Sequence, residues 1–202
     1  QRQMCIRDSS SFEQLRELLT KAIQKFEAEK KIQPVNVVIH YYKRFGKHER
    51  EAVVRILKEL LGEFRVTFIS IDDSHPFRIY DTSVPDGSFP RGHYAYLSPN
   101  SILLSTTGHT PLAARRMGTP KLLRISAMGH PSEFIPIDDV ALQVLSLTKL
   151  DWATATPLVR EPVTLQFSRE IAYLTAAVSE QEWTLLSRPE ISGTLSKRPW
   201  FI

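Results

Sequence analysis

From Phe12 onward apolar residues recur at intervals of three and four, at Phe12, Leu15, Leu18, Leu19, Ala22, Ile23 and Phe26. That spacing predicts an amphipathic helix ending near Lys31. Gln33-Pro34 stops it, because the residue before a proline is pushed toward extended backbone. Val35 to Tyr42 (VNVVIHYY) is rich in β-branched and aromatic residues and almost continuous in apolarity, the pattern of a buried central strand. The helical period returns over Lys47 to Leu61, with Ala52, Val53, Ile56, Leu57, Leu60 and Leu61 on one face and Gly62 as the expected C-cap. Phe64 to Ile71 (FRVTFISI) reads as the next strand. A strand, a helix and a strand in succession predict a right-handed βαβ unit with parallel strands, and hence an α/β domain.

The middle of the chain changes character. Pro85-Asp86-Gly87, Pro90-Arg91-Gly92 and Ser98-Pro99-Asn100 punctuate short strands expected near Phe77 to Tyr80, His93 to Leu97 and Ile102 to Thr106, which should form hairpins. Gly108 to Pro120 has no apolar period and reads as a loop before a strand at Lys121 to Ser126 (KLLRIS). Asp138 is expected to cap a helix through Leu150, and another helix is expected from about Phe167 to Val178. The end, KRPWFI, is apolar enough to pack.

Residues 1–9 (QRQMCIRDS) carry no period and no signal-peptide core, and they resemble adapter read-through at the end of an assembled reading frame. They are expected to be a non-native leader on a single domain, residues 10–202, whose true start lies upstream.

Composition narrows the classes. A hydrophobic share of 42% and a charged share of 24% suit a globular core and argue against disorder. No apolar run approaches the roughly 20 residues that a membrane span needs. The single cysteine, Cys5, allows no internal disulfide and no thiolate zinc cage, which suits a cytoplasmic location. The formal charge of +4 matters less than its distribution. Between Asp86 and Glu133 there is no acidic residue, while Arg91, Arg115, Arg116, Lys121 and Arg124 fall in that interval. If they converge they form a phosphate-binding surface; scattered, they are a solvated face.

Much chemistry is excluded or weakened. The chain has neither GxGxxG nor a Walker A pattern, no HExxH and no GxSxG. The acid pairs Asp72-Asp73 and Asp138-Asp139 are the natural candidates for two-metal chemistry, which needs several converging carboxylates. Their positions at a strand end and a helix start fit structural roles better.

Six ordered segments carry a family resemblance: VNVVIHYYKRFGKHE, SHPFRIYD, STTG with GTPKLLRI, LQVLSLTKLDW, PVTLQFSREIAYL and the terminal KRPWFI. Over roughly Pro34 to Ile202 the chain resembles the C-terminal part of the PIWI domain of prokaryotic Argonautes, of a catalytically inactive short or long-B type. The resemblance implies an RNase H-like α/β fold, a mixed β-sheet flanked by helices. Active members of that family hold divalent ions with four acidic residues, the last sometimes His. The third such position falls on Tyr42 and the fourth on Arg169, neither of which can serve as a hard carboxylate ligand. Glu170, one residue on, would point about 100° away around a helix.

What the resemblance implies is a binder of guide and target nucleic acid that does not cut. Thr148 and Lys149 match a stretch near the guide backbone, although Asp151 stands where Asn is common. The C-terminal carboxylate, here of Ile202, would help to hold Mg²⁺ or Mn²⁺ on the guide 5′ phosphate. The implied partners are a guide RNA or DNA, a complementary target, DNA foremost, and an effector (nuclease, NADase or membrane protein) in defence against plasmids or phage. Arg115, Arg116, Lys121 and Arg124 are duplex-backbone candidates on charge alone. The competing readings are an active metal-dependent RNase H-like guided endonuclease, and a small-molecule enzyme with a pocket near Gly108 to Gly118.

Overall fold

The computed structural model describes residues 9–42, 44–85, 87, 89–107, 122–128, 135–150, 161–176 and 178–186. The chain divides into two compact units, one of Gln1–Arg78, Tyr94–Leu104 and Lys121–Ala141, the other of Ile79–His93, Ser105–Pro120 and Leu142–Ile202.

In the first unit, α1 (Ser9–Lys30), β1 (Asn36–Tyr41), α2 (Lys47–Leu60) and β2 (Arg65–Asp72) follow the expected order. Ser9, counted above with the leader, opens α1. The hairpin of β3 (Tyr94–Ser98) and β4 (Ser101–Leu104) and then β5 (Leu123–Met128) complete a five-stranded sheet in the order β1-β2-β5-β4-β3. β1 and β2 are parallel and the other pairings antiparallel, so the sheet is mixed, as expected. β1 is not central, however. Among the described strands it stands at one edge of the sheet, with Val37 to Tyr41 half-buried and Asn36 exposed, because an apolar strand sequence reports burial by helices as readily as by neighbouring strands.

One sheet face is covered by α1 and α2. Ile23, Phe45, Val53, Leu57, Leu61 and Phe68 form its core, joined by Leu15, Leu19, Val37, Ile39 and Val66. The α1 stripe is narrower than its sequence suggests, since Leu18 is 65% exposed. Arg55 lies over the Phe12 ring at 4.3 Å, and Arg16 pairs with Glu59. On the other face Ile69, Ile71, Ile102, Leu104, Leu123 and Ile125 are almost fully buried. There Thr67 Oγ1 accepts the Ile135 amide, just before α3 (Ile137–Leu147).

Three local expectations are corrected. α2 does not end on a left-handed Gly62. Leu61 closes it in extended conformation, its amide bonded to Leu57 O, because burying the Leu61 side chain requires the chain to turn there. Phe77 to Tyr80 forms no strand: Pro76 precedes it, and the Arg78 guanidinium bonds the carbonyls of His75 and Phe77. Asp138 lies inside the first turn of α3 rather than at its cap, and its carboxylate accepts the hydroxyls of Tyr94 (2.9 Å) and Tyr96.

The second unit contains α4 (Val163–Ala176), which begins four residues before the expected Phe167, and α5 (Glu180–Leu186). Ser179 and Glu182 form a reciprocal capping box ahead of α5. Glu182 accepts the Ser179 amide (2.9 Å) and hydroxyl (2.7 Å), and its own amide donates to Ser179 Oγ (3.3 Å). Gly87 and Gly92 take positive φ, which fits the turns expected at both glycines; a Cβ at Gly92 would also meet the Leu145 side chain at 3.3 Å.

Candidate nucleic-acid interface

β1 leads into a short connection pinned by aromatic contacts. Tyr41 stacks near Phe45, with ring centroids 4.5 Å apart, and Phe45 meets Phe68 edge-on at 5.1 Å. Tyr42 and Arg44, which alternate with those anchors, are exposed and line a cleft of about 840 Å³. The register of the sheet supplies the floor. Ser70 and Asp72 of β2 pair with Ser126 and Arg124 of β5, and Ser126 pairs with Ser101 of β4. These residues share the sheet face that α1 and α2 cover farther along, but here no described helix covers them, and all of them line the cleft.

α2 supplies the wall. Its first turn is held by Glu49, whose carboxylate accepts the Gly46 amide at 2.7 Å, and the next residue, Arg50, lines the cleft. The cleft therefore holds the guanidinium groups of Arg44, Arg50 and Arg124 against one carboxylate, Asp72. Asp72 already accepts the Ser74 amide at 2.8 Å, the turn role expected from its position, and the neighbouring Asp73 accepts the Ser74 hydroxyl at 3.1 Å. Among the described residues no acid forms an ion pair with any of the three arginines. The Nε atoms of Arg50 and Arg124 are buried with no hydrogen-bond partner. Such a donor ordinarily costs about 1–3 kcal/mol. Arg124 also lies 5.7 Å from the Phe77 ring.

Of the charge-based candidates, only Arg124 is described, and it stands in this cleft; Arg115, Arg116 and Lys121 lie outside the described residues. So do the pocket expected near Gly108 to Gly118, Asp151 and Ile202. Arg44 and Arg50 do not stand out in the sequence, because Glu49 and Glu51 beside them balance the local charge. The basic run from Lys43 to Arg50, directly after a strand, is the signal that carries them.

In the second unit Thr148 is 3% exposed. Its hydroxyl donates to Leu145 O at 2.6 Å and accepts Arg91 Nη2 at 2.8 Å, while Arg91 also bonds Thr106 O. The side chain expected at a nucleic-acid contact is thus buried and holds Arg91, whereas Lys149 beside it is exposed. Arg169 lies on α4, ion-paired with Glu161, and Glu170 accepts a hydrogen bond from Gln166 at 3.1 Å.

Among the described residues no three His, Cys, Asp or Glu side chains gather where they could hold a metal ion. The cleft donors do not fit one either, since three guanidiniums repel a divalent cation that a lone, already bonded carboxylate cannot hold. Other groups, outside the cleft, are electrostatically shifted. Burial holds His40 below the ordinary imidazole pKa, and hydrogen bonding to Asp138 raises Tyr94 and Tyr96. No described helix is long and apolar enough to cross a membrane.

No family model matches the chain, and no curated protein matches its sequence. Solved structures do. Clostridium butyricum Argonaute, bound to a guide DNA and a 19-mer target DNA, is 17% identical with a TM-score of 0.63, over 79% of this chain and 20% of that one. A. aeolicus Argonaute is 21% identical with a TM-score of 0.58, over 82% and 23%. Marinitoga piezophila Argonaute, in complex with 5′ OH guide RNA and target DNA, is 17% identical with a TM-score of 0.61, over 86% and 24%. The chain spans about a fifth to a quarter of the Argonaute chains it matches, and over that length its five-stranded mixed sheet and flanking helices have the Argonaute fold.

Proposed function

We propose that this chain is the C-terminal part of an Argonaute PIWI domain that grips a guide and its target without cutting. The observation that carries the reading is the cleft at the end of β1. By the resemblance of VNVVIHYYK to the family, Tyr42 stands where active members carry a metal-binding aspartate, and the cleft that Tyr42 lines holds Arg44, Arg50 and Arg124 against one carboxylate, Asp72. Arg169, at the fourth position, is paired with Glu161. Two-metal hydrolysis needs converging carboxylates to neutralise the ions and fix their geometry. Guanidiniums and hydroxyls instead suit the phosphates of a strand whose sequence is read by base pairing.

On this reading the partners are a guide RNA or DNA and a complementary target, DNA foremost. Lys149 and Arg124 join the backbone contacts with Arg115, Arg116 and Lys121, and Thr148 acts by positioning Arg91. The carboxylate of Ile202 would hold Mg²⁺ or Mn²⁺ against the guide 5′ phosphate. A protein that finds a target without cleaving it needs an effector, whether a nuclease, an NADase or a membrane protein, and defence against plasmids or phage in the cytoplasm fits such a division of labour.

The test is guide-loaded protein challenged with complementary target in Mg²⁺ or Mn²⁺. Tight, guide-dependent binding with no product is expected. Site-specific product that Glu170→Gln abolishes would establish the competing reading, an active guided nuclease.

A further inference from the structure

We infer that the cleft at the end of β1 is a phosphate-binding subsite, where Arg44, Arg50 and Arg124 hold a phosphodiester of a nucleic-acid strand with no divalent ion. The inference deepens the proposed function, and only the identity of the strand rests on it.

Several observations converge. The cleft is strongly unbalanced in charge, with three guanidiniums against Asp72, and no described acid pairs with them. Asp72 stands opposite Arg124 in the β2–β5 register, yet one of its oxygens is already engaged by the Ser74 amide. The Nε atoms of Arg50 and Arg124 are both buried and unpartnered, so these groups are only partly hydrated, which sharpens their attraction for an anion. A merely solvated arginine face would keep those donors in water.

The floor adds neutral donors. Ser101 Oγ and Ser126 Oγ lie 2.8 Å apart, so one donates to the other and the second proton stays free; Ser70 lies beside them on the same face. Arginine suits such a site because its planar group offers two parallel N–H bonds to a phosphate and stays charged at every working pH. A divalent ion is unnecessary here, since the cations that would screen the phosphate belong to the chain itself.

The experiment titrates the full chain with inorganic phosphate, with a short single-stranded oligonucleotide, and with the same oligonucleotide carrying neutral methylphosphonate linkages. Each titration is run in EDTA and in Mg²⁺. Affinity is read together with the NMR signals of the arginine Nε–Hε groups. Movement of the Arg50 and Arg124 signals by the phosphodiester strand is expected, equally in EDTA and Mg²⁺. The methylphosphonate strand and the Arg50→Gln/Arg124→Gln variant should each bind weaker by about tenfold or more. Signals that stay still at saturation, or binding that requires Mg²⁺, overturn the subsite; because these are read on the unsubstituted chain, a folding defect in the variant cannot obscure them. Signals that follow inorganic phosphate but not the strand overturn the assignment to a phosphodiester. Guide-dependent target binding with unmoved arginine signals removes the subsite and spares the guided function, whereas moved signals without guide dependence do the reverse.

Discussion

Thr148 shows how one buried hydroxyl holds a guanidinium in place. Its hydroxyl is buried, donates to Leu145 O and accepts from Arg91. Thr148→Val keeps the shape but leaves a guanidinium N–H of Arg91 without its acceptor, so a loss of about 1–3 kcal/mol is expected in urea unfolding. Thr148→Ser should recover most of it, and Lys149→Gln should leave stability unchanged. Equal stability of the valine and serine variants would show that the hydroxyl is dispensable. His40 offers a second test. Burial depresses its folded pKa below 6.5, so as pH falls through 6.5 and then through the folded value the unfolded chain takes up a proton that the folded chain resists. Stability contributed by neutral His40 is complete above 6.5 and lost below the folded pKa. His40→Gln should therefore narrow the stability difference between pH 7.5 and 5.5, and an identical pH dependence would exclude His40 as its source.

At the scale of elements, the residue that follows α1, Lys31, has a φ of 59°, a left-handed conformation, with its amide bonded to Glu27 O at 2.8 Å. A side chain there costs about 1–2 kcal/mol, and glycine relieves it at the expense of a more flexible unfolded chain. Lys31→Gly is expected to raise stability by about 0.5–1 kcal/mol in urea melts, while Lys30→Gly, inside the helix, should lower it by a similar amount. The same elements show what sequence carries and what it leaves out. α1 and α2 were legible because their apolar spacing matches the helical period, and β2 because FRVTFISI is bounded by turn residues. The place of β1 was not, since apolarity along a strand does not distinguish a neighbouring strand from a covering helix. α5 was legible in principle through Ser179-x-x-Glu182, a capping box that precedes a helix of only seven residues. The candidate site was half legible: Arg124 follows from the acid-free interval, whereas Arg44 and Arg50 are brought to it only by the β1–α2 connection, at the end of the sheet that no described helix covers.

Over the whole molecule, a formal charge of +4 is too small to bind nucleic acid by its total, so under the proposed function affinity would come from where the cations stand. Each phosphate contact releases counterions and steepens the fall of log affinity against log salt by about 0.7 for a single strand and 0.9 for a duplex. Replacing Arg50 and Arg124 singly by Gln should flatten that slope by about 0.7–0.9 for each arginine removed. Replacing Lys21, which is bound to Glu17 at 2.5 Å on the exposed face of α1, should leave it unchanged. The slope discriminates better than affinity at one salt concentration. A variant that merely misfolds in part lowers the active fraction equally at every salt and shifts the line without tilting it, whereas taking a cation away from a phosphate tilts it. Parallel lines for the arginine variants and the unsubstituted chain would mean that the strand's phosphates are gripped elsewhere on the molecule.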